Sequence, residues 1–167
     1  MKTTNAFIVS SILFLTLACS KKTDPTPAAA STTPTLVKGQ AVANSYSLGG
    51  ATYYASYGAE ETATLGNNND YVLVVVDGSG NSLQFWFPQK PSSGVYSASS
   101  DQTTAISSNG TLVGVTSNGV NYASMGIGTV SVSNSNGNYY VTASNIPLQN
   151  LANTSQTTSV SASLIIP

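Results

Sequence analysis

The chain of 167 residues has no histidine and no arginine, and its only cysteine is Cys19. Each absence closes off chemistry. Without histidine there is no Ser-His-Asp triad, no Cys-His dyad and no common zinc site. One cysteine allows no intrachain disulfide, so stability must come from a packed core. Charge is scarce as well. Only 7% of residues are charged, against about 25% in ordinary soluble proteins. Asn, Ser, Thr and Gly take their place. From Val37 onward, Lys38 and Lys90 face five carboxylates: Glu60, Glu61, Asp70, Asp77 and Asp101. A nucleic-acid partner needs a cationic footprint to displace phosphate counterions, and none is present. No Gly-x-x-x-x-Gly-Lys-Ser/Thr loop occurs either, so a phosphate cradle is unsupported.

The first eighteen residues read as a processing signal. Lys2 is followed by an apolar stretch from Ala6 to Ala18 that includes Phe7, Ile8, Val9, Ile12, Leu13, Phe14, Leu15 and Leu17. This run is too short for a bilayer span, which takes about 20 residues, but it suits a signal-peptide core. The small Ala18 then precedes Cys19, whose thiol is the expected site of lipidation. Two or more acyl chains of the palmitate kind anchor stably where one is marginal. Residues 1–18 are thus expected as a lipoprotein signal peptide. Residues 19–36 carry the lipidated cysteine and a tether with Pro25, Pro27 and Pro34, which should behave as a semi-extended spacer. Thr16 stands where a lipobox usually has leucine, with Leu15 and Leu17 on either side. The membrane is therefore an expected partner, through the lipid, and the outer membrane of the cell envelope the expected location. Whether the domain faces the periplasm or the surface stays open, since only Asp24 is acidic near the cysteine.

Residues 37–167 are expected to form one all-β domain. Apolar residues alternate with period two, and no stretch after the leader shows helical spacing. Turn residues break the pattern at Gly49-Gly50, Gly66 to Asn69, Asp77 to Asn81, Pro91 to Gly94, Asn109-Gly110, Asn118-Gly119 and Asn134 to Gly137. Gly and Asn tolerate the positive φ of hairpin turns. Between the breaks, Tyr71 to Val76 reads as a central strand covered on both faces. Leu83, Phe85 and Phe87 alternate with Gln84 and Trp86. Leu112 to Thr116, Ile127 to Val132, Tyr139 to Ala143 and Val160 to Ile166 follow suit. The expected fold is an antiparallel β-sandwich of about eight to ten short strands, with a β-barrel as the alternative. A membrane-spanning barrel is disfavoured by the anchor and the lack of aromatic girdles.

The chain resembles the small β-rich lipoproteins of Bacteroidota that are grouped as domains of unknown function. Cys19-Ser20-Lys21-Lys22, the opening pair Tyr46 to Tyr54, Pro91 to Tyr96, and Gly128 to Val132 answering Tyr139 to Ala143 carry the likeness. It implies an anchored β domain. It brings no activity and no catalytic residues.

The domain carries few residues suited to chemistry. Asp70 and Asp77 lie roughly 23 Å apart on an extended strand, at about 3.3 Å per residue, too far for paired acid–base work. Glu60 and Asp101 could meet only by tertiary accident, and all five carboxylates, Asp70 included, read as solvated turn residues. Asp77-Gly78-Ser79-Gly80-Asn81 lacks the downstream glutamate of a calcium loop and reads as a tight turn. No metal, no cofactor and no catalytic residue is expected. The aromatic set offers one lead. If Leu83, Phe85 and Phe87 point inward, Trp86 and Gln84 face outward, where an indole beside an amide could stack a sugar ring. Tyr53 or Tyr139 could extend such a platform. The leading expectation is a non-enzymatic envelope lipoprotein with a structural, adhesive or accessory-binding role, its partner a glycan or an envelope protein. The alternative is a carbohydrate-binding module presenting Trp86 on a sheet face.

Overall fold

The computed structural model describes residues 44–65, 68–100 and 106–167. The expected leader, Cys19, the tether and Asp101 lie outside these residues.

The described residues form ten strands and no helix. They are β1 (Ser45–Leu48), β2 (Ala51–Leu65), β3 (Asn68–Asp77), β4 (Ser82–Phe87), β5 (Gly94–Ser99), β6 (Gly110–Ser117), β7 (Val120–Ser124), β8 (Thr129–Ser135), β9 (Asn138–Asn150) and β10 (Thr157–Ile166). The all-β class and the strand count agree with the sequence pattern. Two strands are long rather than short: β2 has 15 residues and β9 has 13. Ile127 precedes β8 instead of opening it.

All ten strands belong to one sheet. Its ladders close into a circuit. They run from β1 through β2, β3 and β4 to β6, then by β7, or by β5 and β8, to β9, and from β9 through β10 back to β1. Every pairing is antiparallel except β5 with β6, where Ser97 to Ser99 lie parallel to Gly110 to Leu112.

Turn chemistry sets the register. Asn118-Gly119 joins β6 to β7 with Ser117 opposite Val120, and Asn136-Gly137 joins β8 to β9 with Ser135 opposite Asn138. Both residues of each turn have positive φ, the form whose twist matches the flanking strands. Asp77 closes the β3–β4 turn as an Asx cap. Its Oδ1 accepts the amides of Ser79 and Asn81, each at 2.8 Å, and its Oδ2 accepts the Asn81 side-chain amide at 2.7 Å. Burial pushes this carboxyl up, but these hydrogen bonds outweigh it and leave it below the usual carboxylate range. Tight-turn duty thus accounts for Asp77, as the sequence suggested.

Alternation sorts side chains to the two faces of the sheet. Inside lies the main core, including Tyr46, Leu73, Val75, Leu83, Phe85, Phe87, Val113, Tyr139, Val141, Leu148 and Ile166. A second apolar cluster covers the outer face of β3, β4 and β6: Val72, Val74, Trp86, Ile106, Leu112 and Ala123. β3 is therefore buried on both sides, which explains its unbroken Val-Leu-Val-Val-Val run. At about 25 cal/mol per Å² of apolar surface buried, each of these large side chains contributes roughly 1.5–3 kcal/mol before entropy is counted. β6 changes partner midway, from β5 to β7. There the buried Ser124 hydroxyl accepts the Val113 amide at 3.0 Å and donates to the Ser99 carbonyl. A single side chain thus satisfies backbone groups where the ladder is interrupted.

Candidate functional site

The aromatic platform expected from the sequence does not assemble. Trp86 is on the outer face, opposite Leu83, Phe85 and Phe87, as alternation requires. It is nevertheless only 8% exposed. Ile106, from the segment between β5 and β6, packs with Leu112 and Ala123 in its cluster. Its indole N–H donates to Gln84 Oε1 at 3.1 Å, so the amide that was to hydrogen-bond a ligand caps the indole instead. Gly114 lies opposite Gln84, and a Cβ there would stand 3.8 Å from the indole nitrogen. The ring is thus packed beside glycine backbone on a strand surface. Tyr53 points inward, stacks on Tyr46 with centroids 5.0 Å apart, and shares a 3.2 Å hydrogen bond with the Ser117 hydroxyl. Tyr139 is 1% exposed and belongs to the main core. Trp86, Gln84, Tyr53 and Tyr139 therefore share no surface. Strand alternation assigns a face but is silent on what covers it.

The structure brings together a group that sequence reading missed. Glu60 of β2 lies opposite Leu73, so it shares the inner face. Tyr71 of β3 donates its hydroxyl to Glu60 Oε2 and lies 3.4 Å, oxygen to oxygen, from the Tyr139 hydroxyl of β9. Lys90, in the loop between β4 and β5, places Nζ 3.2 and 3.4 Å from the two Glu60 oxygens. The same ammonium sits 5.5 Å from the Tyr71 ring centroid and 5.7 Å from that of Tyr139, within cation–π range. Lys90 is the sole cation among the described residues. Nothing local marks the group in the sequence, because the partners of Lys90 stand 19, 30 and 49 positions away.

Each group reinforces the charge state of its neighbours. The Tyr71 hydroxyl, and behind it Lys90, hold the Glu60 carboxyl below the usual carboxylate range. Glu60 in turn holds the Lys90 ammonium above its ordinary value. Burial, and then the bond to Glu60, push the Tyr71 hydroxyl far up.

Lys90 also borders a pocket of about 260 Å³. Its apolar wall includes Phe87 and Tyr96, whose rings meet edge to face at 4.9 Å. Gln89, Ser92, Ser93, Ser108 and Asn109 supply polar groups. The pocket is built to keep its shape. Pro88 and Pro91 stiffen the loop. Tyr96 donates its hydroxyl to the Ser92 carbonyl at 2.8 Å, and Ser93 Oγ accepts the Asn134 amide at 2.9 Å.

The other carboxylates divide. Glu61 and Asp70 share the outer face two register positions apart, since Glu61 pairs with Val72 and Asp70 with Ala63. Such diagonal neighbours stand roughly 7–8 Å apart. Asp70 is 2% exposed, not the solvated turn residue expected. Its place in β3, beside the outer cluster, accounts for that, and burial raises its carboxyl above the usual value. No group of three or more potential metal ligands occurs among the described residues. Comparison with protein-family models, with curated proteins and with solved structures finds no match for this chain.

Proposed function

We propose that this chain is a lipid-anchored cell-envelope protein whose β domain acts without catalysis, in an adhesive, structural or accessory-binding role. The anchor half rests on Cys19 at the end of a short apolar run and on the proline-bearing tether after it. One observation carries the non-enzymatic half. The titratable cluster that Lys90 joins at the edge of the pocket is locked away from neutral pH: Glu60 is held ionised, Lys90 protonated and Tyr71 neutral. A general acid or base works best with a pKa near the operating pH. These groups instead offer fixed donors and acceptors, which suits recognition. The domain's partners are glycans or envelope proteins. The buried Trp86 does not serve as the stacking residue.

A second reading comes from Asp70. A buried carboxyl with a raised pKa, diagonal to the exposed Glu61, is an arrangement glycosidases use. One assay separates the two. The full chain is incubated with envelope polysaccharides, and both retention on the polymer and release of new reducing ends are measured. Retention without release is expected. Release that disappears in Asp70→Asn would overturn the non-enzymatic reading.

A further inference from the structure

We infer that the pocket beside Lys90 is a binding site for one neutral sugar ring, held by its hydroxyls. This rests on the binding reading above and gives it a ligand class.

Charge argues first. The described residues carry four carboxylates against the one ammonium of Lys90. An anion approaching the pocket meets a negative domain, and a cation meets Lys90. A neutral ligand meets neither penalty. Lys90 keeps its charge balanced by Glu60 at 3.2 Å. Of the ammonium's three donors, two serve the Glu60 oxygens, and a ligand hydroxyl oxygen would take the third in place of Tyr139.

The lining argues second. Gln89, Ser108 and Asn109 make no side-chain hydrogen bonds among the described residues, although their neighbours in the loop are tied down. Two amides, each donor and acceptor, with a hydroxyl and an ammonium match the mixed donor–acceptor character of sugar hydroxyls. Tyr96, 8% exposed, brings a small apolar edge to the pocket for the ring's C–H groups, with the fully buried Phe87 behind it.

Size argues third. At about 260 Å³ the pocket falls just below the roughly 300–1,000 Å³ of drug-sized sites. That is room for one ring, such as the end of a glycan chain, rather than a long oligomer.

The test is an ¹⁵N-resolved titration of the full chain with glucose, galactose, mannose and N-acetylglucosamine, with inorganic phosphate as the anionic probe. At least one sugar should bind saturably, with dissociation constants near 1 mM and shifts confined to residues around 87–96 and 108–109. Lys90→Met keeps the aliphatic stem and removes the ammonium. It should weaken that sugar about 10- to 100-fold, the worth of one hydrogen bond to a charged group. Asn109→Ala, at an exposed loop position, should weaken it without touching Glu60. Phosphate binding in preference to every sugar overturns the neutral-ligand claim. A sugar that binds equally well to both variants overturns the pocket assignment while leaving the binding reading intact. No saturable binding to any of the four sugars overturns the inference, while palmitate labelling and polymer retention decide the anchored, non-enzymatic reading separately.

Discussion

Removing one oxygen from the core should make this protein more stable. Tyr46 is 1% exposed, and its hydroxyl has no hydrogen-bond partner among the described residues. The surroundings penalise the phenol's charged form as well: burial first, then the nearby Asp77 and Tyr53, push its pKa well above the ordinary value. A hydroxyl moved from water into an apolar site without a partner costs about 1–3 kcal/mol. Tyr46→Phe removes that cost and keeps the ring, which stacks on Tyr53 at an interplanar angle of 11°. The expected gain is therefore about 1–3 kcal/mol, or roughly 3–8 °C in Tm for a domain of this size. Urea unfolding followed by Trp86 emission gives the value, with an unchanged m showing that only stability moved. Tyr53→Phe is the control. It breaks the bond to Ser117 and should lose about 0.5–1.5 kcal/mol. A Tyr46→Phe variant less stable than the parent would refute the reasoning and place a hydrogen-bond partner on that hydroxyl.

Gly128 has a φ of +100°, and a Cβ there would lie 2.6 Å from Cδ1 of the fully buried Ile146. Gly128→Ala should cost about 2–4 kcal/mol. Adding Ile146→Val, which deletes that Cδ1, should recover part of the loss, so the double variant will be more stable than additivity predicts. Trp86 should emit at short wavelength and resist acrylamide, because Ile106 and Leu112 cover it; free quenching would show that its cover is open. Glu60 has a lowered pKa, so its contribution is present above the unfolded value of about 4.3 and fades as pH falls through the folded one. The stability difference between the parent and Glu60→Gln should thus be flat above about pH 5 and shrink below it. Both side chains of the ion pair are more than a third exposed, so the plateau should stay under about 1 kcal/mol. For Asp70, whose pKa is raised, the sign reverses. Asp70→Asn should stabilise near neutral pH and give no gain at pH 3.

What the sequence made legible was local. Asn118-Gly119 and Asn136-Gly137 announced hairpins because few other residue pairs accept two positive φ angles in succession. The run from Tyr71 to Val76 announced a strand buried twice, and both clusters around it are present. What stayed hidden was long-range. The β9–β10 ladder that helps close the sheet pairs Tyr139 with Ile166, and no local pattern distinguishes that pairing from an open edge. The parallel β5–β6 contact breaks the hairpin logic, since no turn pair in the sequence marks a parallel neighbour. The Trp86 platform failed for the same reason: its cover includes Ile106, twenty positions away. The Glu60–Tyr71–Lys90–Tyr139 cluster had no signature, since β2, β3, β9 and one loop each supply a single residue.

The proposed lipid anchor at Cys19 is open to a direct test. Cells expressing the full chain or Cys19→Ala are grown with radiolabelled palmitate, then fractionated. An anchored chain carries label in the membrane fraction, and the variant is unlabelled and membrane-free. A parent chain that takes up no palmitate, with Cys19→Ala still membrane-bound, would contradict the proposed anchor.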